Sequence, residues 1–399
     1  MTAKTQSNSC LEKQLLACCA RTRVAAAEAQ RIREITAQPL DWEYLLAEAE
    51  ANSITPLLER HLTAIAPDAP PPAPKDQLKK TSRANTVRCL YLTAELINVL
   101  ERFRAQQIPA IPYKGPVLAA QVYGDVALRE FDDLDIILRQ RDVPRAHEII
   151  LSRGYKAKFD WILSPDASAS LVPGEYNYRD ERRRVLVELH TEITLRHFPV
   201  KPDLDYFLGR LAPVRISEHE VPTFTAEDLL PMLCVHGSKD FYERFSWVAD
   251  VAELIRSHPA LNWDEVMRVT ESLGAMRILF LGLALANGLL QAPLPAEILQ
   301  RVHADGTACE IAEEIQQMLM SRPSQTFDAA GRLRFRRHML AGFAAGWRYV
   351  LRLAIVPAEE DWVMMRLPRP LAPLYIALRP FRLLRKYGWA GREQPKPTA

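Results

Sequence analysis

Glycine is scarce in this chain. The 399 residues include 15 glycines and 29 prolines. Because glycine supplies the backbone conformations of many tight turns, its scarcity argues against a β-rich fold that is dense in turns. Numerous prolines fit helices that are separated by stiff connectors. We therefore expect a chain in which helices predominate.

The chain also lacks a cysteine pair of the kind that binds zinc or exchanges thiols. Its six cysteines are scattered and none forms a C-x-x-C motif, which excludes a zinc knuckle and a thioredoxin-type site. The N-terminal stretch has no basic region leading into an apolar run, so no signal peptide is expected. Scattered free thiols are typical of a reducing compartment. These absences together predict a cytoplasmic protein.

Long apolar runs and an excess of one charge are absent as well. The longest apolar run, Ile278–Leu290, has about 13 residues, whereas a transmembrane helix needs about 20. Lys and Arg number 51 and Asp and Glu 49, for a formal net charge of +2. This balance excludes an overall electrostatic grip on nucleic acid, although not a local basic patch. We expect a soluble protein without a nucleic-acid partner.

Apolar spacing and proline content divide the chain into four segments. Residues 1–66 are predicted to be helical, and residues 67–75 form a proline-rich connector. Residues 76–224 are predicted to be a mixed α/β core, and residues 225–399 a helical region that ends in a basic tail. The predicted fold class is α+β, with a mixed β-sheet core between helical N-terminal and C-terminal regions. The expected elements include helices at about 81–106 and 142–153, strands at 108–113, 134–138, 155–161, 175–179 and 185–191, and helices capped by Asp41 and Thr225.

Asp133 and Asp135 stand in the alternating pattern D-L-D-I-I-L. Successive side chains of a strand point to opposite faces, so the two aspartates project from one face while Leu134 and Ile136 enter the core. Neighbouring carboxylates repel each other unless a cation lies between them, and oxygen ligands of this kind suit Mg²⁺. The alternative is a solvated strand end.

Lys114-Gly115-Pro116 follows a short strand and opens a helix, with Pro116 suited to the first helical position. A glycine here lets backbone N–H groups approach a phosphate at the positive end of the helix. Lys114 adds a positive charge, and Arg129 offers a planar fork for triphosphate oxygens. Alternatively, Gly115 is an ordinary turn residue and Lys114 a solvated charge.

A third carboxylate stands in V-L-V-E-L-H-T, where Glu188 and His190 share one strand face. If this strand lies beside the aspartates, Glu188 reaches the same cations, which is the arrangement that two-metal nucleotidyl transfer requires. His190 is either a general base for an acceptor hydroxyl or a hydrogen-bonding partner that positions Glu188. The alternative for the whole face is the polar, solvent-facing edge of an antiparallel sheet.

These motifs, together with the stretch HGSKDFYERFSWVADVAELI, resemble the uncharacterised nucleotidyltransferase family of the DNA polymerase beta-like nucleotidyltransferase superfamily. The resemblance covers about 92–294. It implies a nucleotidyltransferase-type fold, with Asp133 and Asp135 as the paired metal ligands and Glu188 as the third acid. Where the wider superfamily has a Gly-Ser or Gly-Gly pair, this chain has Lys114 and Gly115. A serine hydroxyl that would contact the triphosphate is therefore absent.

The function that the resemblance implies is transfer of a nucleoside monophosphate from an NTP, with ATP the expected donor, to a hydroxyl or phosphate of a small-molecule or biosynthetic acceptor. Two Mg²⁺ ions are expected, held by the three acids, while Lys114, Gly115 and Arg129 hold phosphates. Two alternatives stay open. One is a non-catalytic protein that keeps the fold and binds a partner in the groove. The other is an enzyme that transfers AMP to proteins.

His236, Lys239 and Asp240 lie within about one helical turn, so they can share a helix face. If this helix backs the active site, as the resemblance implies, His236 or Lys239 contacts the nucleotide or the acceptor. The alternative is a buried histidine beside a local ion pair. Asp250 is either a polar group on the acceptor side or a charge on a helix face.

The segment Arg366–Arg392 contains several Arg and Lys, no acid, and the aromatic residues Tyr375, Phe381 and Trp389. It either covers the α/β core, binds an anionic partner or lies on a membrane surface. Its prolines are expected to interrupt any long amphipathic helix. Packing against the core with a basic rim is therefore the favoured interpretation.

Overall fold

Four short helices open the part of the chain that the structure describes. This computed structural model describes residues 10–158, 174–192, 204–340, 343–356 and 373–387, together with residues 361, 367 and 371. The four helices are α1 (Leu11–Cys19), α2 (Ala26–Thr36), α3 (Trp42–Ala51) and α4 (Thr55–Ile65). Leu15, Leu16 and Cys19 are fully buried on α1. As predicted, Asp41 caps α3, because its side chain accepts a hydrogen bond from the Tyr44 amide at 3.0 Å.

The long helix α5 (Pro72–Ala105) begins earlier than predicted. Its first turn contains Pro72 and Pro74, and residues 72–75, which the sequence assigned to a stiff connector, are helical. Proline is tolerated there because the first amides of a helix have no partner within the helix. Farther along, the apolar face packs against the sheet as predicted, with Leu92, Leu96 and Phe103 almost fully buried.

A five-stranded mixed sheet follows α5 in sequence. Its strands are β1 (Ala110–Pro112), β2 (Asp133–Leu138), β3 (Lys156–Ala157), β4 (Glu175–Asp180) and β5 (Val185–His190), in the order β1-β2-β5-β4-β3. β2 and β5 are parallel, and the other three pairs are antiparallel. The β4–β5 hairpin confirms the sequence prediction. The strand predicted for residues 155–161 is shorter, and its residues from 159 onward lie outside the described part.

Helical segments connect β1 to β2 and β2 to β3. After β1 comes α6 (Gly115–Leu118), which continues as a π-helical stretch, Ala119–Tyr123. The helix α7 (Val143–Ser152) follows β2 and ends before Gly154, which adopts a φ of +90°. The combination of a mixed sheet with many helices is the predicted α+β class, and it fits a nucleotidyltransferase-type fold.

Strand alternation gives the sheet two different faces. Leu134 and Ile136 of β2 and Val187 and Leu189 of β5 are fully buried in the core that the sheet forms with α5 and α7. Asp133, Asp135, Glu188 and His190 occupy the alternate positions and so lie on the opposite face. The polar face is therefore the one turned away from α5.

A small hairpin that the sequence did not predict follows the short helix α8 (Leu204–Leu208). Its strands are β6 (Ala212–Ile216) and β7 (His219–Thr223), and each contains a proline. In a two-stranded ribbon every strand has an unpaired edge, so proline is accommodated. The Thr223 hydroxyl donates to the Pro112 carbonyl at 2.6 Å, which fixes the hairpin beside β1.

The remainder of the described chain is helical, as predicted. The Thr225 hydroxyl caps α9, since it accepts a hydrogen bond from the Asp228 amide at 3.3 Å. The helices are α9 (Ala226–Lys239), α10 (Phe245–Ser257), α11 (Trp263–Ser272), α12 (Met276–Leu290), α13 (Ala296–Ala304), α14 (Gly306–Met320), α15 (Ala329–His338), α16 (Phe343–Ile355) and α17 (Leu374–Tyr387). Among the described residues, no helix is both long and apolar enough to cross a membrane.

Two hydrophobic cores meet at β2. One contains residues of α5, α7 and the sheet, and the other joins the N-terminal helices to α9, α10, α12 and α14. Leu134 and Ile136 of β2 belong to the first core, and Ile137 belongs to the second. The polar residues of β2 therefore lie between the sheet and the C-terminal helices.

Candidate active site

The two predicted acidic strands are neighbours in the sheet. Asp135 is the register partner of Glu188, and Ile137 is the partner of His190. Because β2 and β5 are parallel, residues at matched positions lie side by side on one face. The sheet thus brings together Asp135 and Glu188, which stand 53 positions apart in the sequence. This is the adjacency that the sequence pattern required of the third acid.

Asp135 is the most densely bonded residue of this face. It is 2% exposed, and its Oδ1 accepts hydrogen bonds from Lys114 Nζ and from His190 Nε2, each at 2.9 Å. Burial alone would disfavour the charged carboxylate, but the Lys114 ammonium and the His190 hydrogen bond outweigh it and lower the pKa of Asp135. Its other oxygen, Oδ2, is buried and has no hydrogen-bond partner among the described residues.

The partners of Asp135 are cationic. Burial lowers the pKa of Lys114, but the attraction of Asp135 outweighs this effect and raises the pKa overall. For His190, burial is likewise outweighed by hydrogen bonds with Asp135 and Glu188, which raise its pKa to about 9. The His190 ring nitrogen Nε2 also lies 3.5 Å from Glu188 Oε2. The imidazolium therefore bridges the two carboxylates at neutral pH.

Asp133 is in a different state from Asp135. Burial, and then repulsion from Asp135, raise its pKa to about 7. In the described part of the chain its side chain has neither a hydrogen bond nor an ion pair. At neutral pH this carboxyl group is therefore partly protonated, and a cation that approached it would displace the proton.

The Lys114-Gly115 turn packs directly on the start of β2. Gly115 has a φ of +55°, and a Cβ placed on it would lie 3.0 Å from the Asp133 carbonyl oxygen. Both facts require glycine at this position. The Lys114 side chain is buried, with Nζ 5.0 Å from the centre of the Tyr113 ring and in contact with Asp135. Lys114 is therefore not the solvated charge of the alternative interpretation.

Arg129 forms a buried ion pair that the sequence did not indicate. Its Nε and Nη2 donate to the two carboxylate oxygens of Asp250, on α10, at 2.8 and 2.9 Å. The Tyr123 hydroxyl also donates to Asp250, at 2.7 Å. Asp250 is 1% exposed, so it is not a charge on a free helix face. The bidentate fork predicted for phosphate is engaged here, and only Nη1 has no partner among the described residues.

Helix α9 contains the predicted residues His236 and Lys239. The His236 ring makes an edge contact with Trp247, with ring centres 6.0 Å apart. Burial, and then the positive charge of Lys114, lower the pKa of His236 well below its usual value, so the ring is neutral. Lys239 Nζ lies 4.0 Å from Glu175 Oε2 on β4. The predicted α9 residues therefore face the sheet, although neither contacts Asp135.

The sequence profile of a family described as uncharacterised nucleotidyltransferase matches residues 38–291 of this chain. The chain belongs to this family. The matched range contains every predicted site residue, and it ends just after α12. No curated protein matches the chain.

The residues of this site fit a divalent cation. One ligand atom each from Asp135, Glu188 and His190 lie within 4.8 Å of one another. Asp135 Oδ2 is a buried acceptor without a hydrogen-bond partner among the described residues. Such an atom destabilises the fold, and a bound cation would supply the missing partner. Two carboxylates suit Mg²⁺, whereas the His190 nitrogen could act as a third ligand only after the ring has lost its proton. Asp133 is not in this cluster, so the clustered atoms differ from the predicted set of Asp133, Asp135 and Glu188.

Sequence reasoning missed two residues that lie beside His190 in the candidate site. Glu175 is the register partner of His190 on β4, and its pKa is lowered because His190 and Lys239 outweigh the effect of burial. Tyr113 makes an edge contact with the His190 ring, with centres 6.0 Å apart. The alternation E-Y-N-Y in β4 was a usable signal for Glu175, because it places Glu175 and Asn177 on the face of Glu188. Tyr113 had no comparable signal.

Proposed function

We propose that this nucleotidyltransferase moves a nucleoside monophosphate from an NTP to a hydroxyl or phosphate group of an acceptor, in a reaction that depends on a divalent cation. ATP is the first donor to test, and Mg²⁺ the first cation. The observation that carries the proposal is the pairing of Asp135 with Glu188 on parallel strands, with an oxygen of each and a His190 nitrogen within 4.8 Å. Two carboxylates this close need positive charge beside them, which Lys114 and His190 supply in the structure and which a divalent cation could replace.

Each acid has its own part in the proposal. Asp135 and Glu188 hold the cation, and Asp133, at the start of β2, loses its proton and completes the negative surface. When bound, the divalent cation supplies positive charge that neutralises the phosphate oxygens and activates the acceptor oxygen. Gly115 keeps the turn after β1 pressed against the Asp133 carbonyl, so the acids and the turn hold a fixed spacing.

Lys114 is proposed to exchange partners. In the structure its ammonium neutralises Asp135 from inside the site. If Asp135 held a divalent cation, the Lys114 ammonium would lose this counter-ion and move away, because like charges so close in a buried place are strongly unfavourable. The released Nζ would then bind a phosphate oxygen of the NTP as a point charge. Lys114 thus takes the place of the missing serine hydroxyl as the polar group of this turn.

His190 is proposed to position the acids rather than to act as a general base. With a pKa of about 9 it is protonated at neutral pH, and a protonated imidazole cannot accept a proton. It donates to Asp135 and lies beside Glu188. His236 is neutral and so remains available for a hydrogen bond to the acceptor, with Lys239 and Glu175 at the rim.

One observation favours a second candidate, a non-catalytic binding protein with this fold. Two cations predicted to hold phosphate, Lys114 and Arg129, are both paired with buried carboxylates. A site closed by such pairs is stable without substrate. The two candidates differ in a measurable way, because only the enzyme needs both the NTP and the metal.

Thermal unfolding separates the two candidates. We expect ATP with Mg²⁺ to raise the melting temperature by about 5 °C at hundredfold excess over Kd, whereas either ligand alone raises it less. Asp133→Ala with Asp135→Ala should abolish this shift. Asp132→Ala is the matched control, because the Asp132 side chain is 95% exposed on the same segment. No shift with ATP and metal in the native protein would reject the enzyme.

The acceptor is identified by the fate of the label from ATP carrying ³²P at the α-phosphate. A labelled small molecule in a whole-cell extract supports the proposal, whereas a labelled protein band would support transfer of AMP to proteins. The Asp132→Ala and Asp135→Ala variants provide the positive and negative controls for either outcome.

A further inference from the structure

The C-terminal helices carry an unusual share of the exposed apolar side chains. Seven of the twelve large hydrophobic side chains that are exposed in the described part of the chain lie between residues 333 and 381. This region follows residue 291, where the family match ends. These exposed apolar residues therefore lie outside the part of the chain that the family match covers.

The exposed residues on α16 form a mixed apolar and cationic face. Trp347 and Leu351 are 44% and 58% exposed and stand four positions apart, so they are neighbours on the helix surface. Arg348 and Arg352 are exposed beside them with the same spacing. The Arg337 guanidinium of α15 lies 5.8 Å from the centre of the Trp347 ring. This face presents one aromatic, one aliphatic and several cationic groups.

A second exposed apolar face lies on α17. Leu374 and Phe381 are 46% and 71% exposed and stand seven positions apart, which places them on one side of the helix. The prediction that prolines interrupt every long helix here is wrong for Leu374–Tyr387, which continues through Pro380. Residues 368–370 and 388–399, including Trp389, lie outside the described part. α17 packs on α16, so the two faces belong to one helical unit.

The helices of this unit contain basic residues and no acidic ones. The helices α15, α16 and α17 contain four, two and four Arg or Lys residues, and no Asp or Glu. Acids from elsewhere pair with some of these cations. Glu243 accepts from Arg332 at 3.1 Å, Glu314 pairs with Arg334, and Asp361 pairs with Arg379 at 2.6 Å. Asp361 also pairs with Arg382. The stretch 329–387 contains twelve Arg or Lys residues and three acids, Glu359, Glu360 and Asp361, so its sequence carries a clear positive excess.

We propose that these three helices form a docking surface for an anionic lipid bilayer, in which the exposed Trp, Leu and Phe side chains enter the headgroup region while the arginines bind lipid phosphates. A surface of cations beside apolar side chains is the chemistry that binds such membranes. Among the described residues no helix is both long and apolar enough to span a bilayer, so the attachment that we propose is peripheral.

Two other occupants fit the surface less well. A second copy of the chain would bring two positive surfaces together, and the repulsion would oppose association. Nucleic acid would satisfy the arginines, but its backbone offers nothing to the exposed aliphatic side chains of Leu351 and Leu374. The inference does not depend on the nucleotidyltransferase chemistry, because none of these residues lies in the site.

The test is sedimentation of the full chain with vesicles. We expect binding to vesicles of equimolar phosphatidylcholine and phosphatidylglycerol, little binding to phosphatidylcholine alone, and weaker binding at high salt. Leu351→Glu should lower the partition coefficient about tenfold, and Arg348→Gln about fivefold. Leu90→Glu is the matched control, because Leu90 is 54% exposed on α5, away from this surface.

Several outcomes would overturn the proposal. Absence of binding to anionic vesicles would do so, as would equal binding by the Leu351→Glu and Leu90→Glu variants. Light scattering that shows a dimer of the native chain, broken by Leu351→Glu, would assign the surface to a second copy. Salt-sensitive retention of RNA or DNA without vesicle binding would assign it to nucleic acid. Circular dichroism of each variant confirms that the fold is retained.

Discussion

Lys114 and Asp135 form a buried ion pair in which the ammonium lies 2.9 Å from Oδ1 of the carboxylate. The pair joins the turn after β1 to the second aspartate of β2. Because the other oxygen of Asp135 has no partner among the described residues, one carboxylate is half satisfied by an internal cation. A metal ion that binds the Asp135 carboxylate therefore competes with the Lys114 ammonium.

Replacement of Lys114 by methionine tests this competition. Lys114→Met removes the internal cation while it keeps most of the side-chain volume. We expect Mn²⁺ to bind about tenfold more tightly and ATP with Mg²⁺ to bind at least about tenfold more weakly. Manganese binding is read by electron paramagnetic resonance and ATP binding by calorimetry. Lys80→Met, at an exposed position on α5, should change neither. Weaker Mn²⁺ binding in Lys114→Met would show that Lys114 does not compete with the metal.

The pH dependence of metal binding follows from Asp133. Its pKa is raised to about 7 in the folded, metal-free protein, so a proton competes with the cation below pH 7. Affinity for Mn²⁺ should therefore rise with pH up to about 7, by as much as tenfold per pH unit, and level off above it until His190 titrates near 9. Asp133→Asn should remove the pH dependence of Mn²⁺ affinity below about pH 7. If the Mn²⁺ affinity of the native chain does not change between about pH 5.5 and about pH 7.5, a range that brackets the Asp133 pKa of about 7, this prediction is wrong.

Gly115 and Gly124 form a natural control pair. Both have positive φ, at +55° and +70°, but a Cβ on Gly115 would lie 3.0 Å from the Asp133 carbonyl, whereas one on Gly124 meets nothing within 4 Å. Substitution of either by alanine should lower the free energy of unfolding by about 1 kcal/mol, because alanine disfavours this conformation. Only Gly115→Ala should also weaken metal and ATP binding, through displacement of β2. Chemical denaturation and calorimetry measure the two effects, and equal loss of binding in both variants would refute the distinction.

The pair of Arg129 with Asp250 is expected to stabilise the junction of the sheet with α10. Asp250→Asn would leave the buried guanidinium without its counter-ion, and we expect a loss of about 3 kcal/mol in the free energy of unfolding. The double variant Arg129→Met, Asp250→Leu should recover part of that loss. Arg31→Met, which removes an exposed pair with Glu34, should cost less than about 1 kcal/mol. If Asp250→Asn is as stable as the native protein, the buried pair has no such role.

Local patterns were sufficient for part of this structure. Period-two alternation correctly placed Asp133 and Asp135 on one face and Glu188 with His190 on another strand face, because each strand is a local feature. The pairing of β2 with β5, which unites the two faces, depends on tertiary packing that alternation cannot specify. From the sequence, adjacency of the two strands was only a condition for Glu188 to reach the cations of the aspartates.

The parts that could not be predicted depend on distant partners. Arg129 was assigned to phosphate because nothing in the sequence links it to Asp250, which stands 121 positions later. The β6–β7 hairpin contains Pro213 and Pro222, which weaken every strand signal although a ribbon tolerates them. The start of α5 was misplaced because a proline-rich stretch resembles a connector unless its prolines fall in the first turn.

In the proposed function, Asp135 holds the cation through which the protein binds an NTP. Calorimetric titration of ATP, with and without Mg²⁺, into the native chain, Asp135→Asn and Asp132→Asn tests it most directly. We expect saturable ATP binding only with Mg²⁺, unchanged in Asp132→Asn and at least about hundredfold weaker in Asp135→Asn, a difference of about 2.7 kcal/mol. ATP binding that ignores Mg²⁺, or that survives Asp135→Asn unchanged, would contradict it.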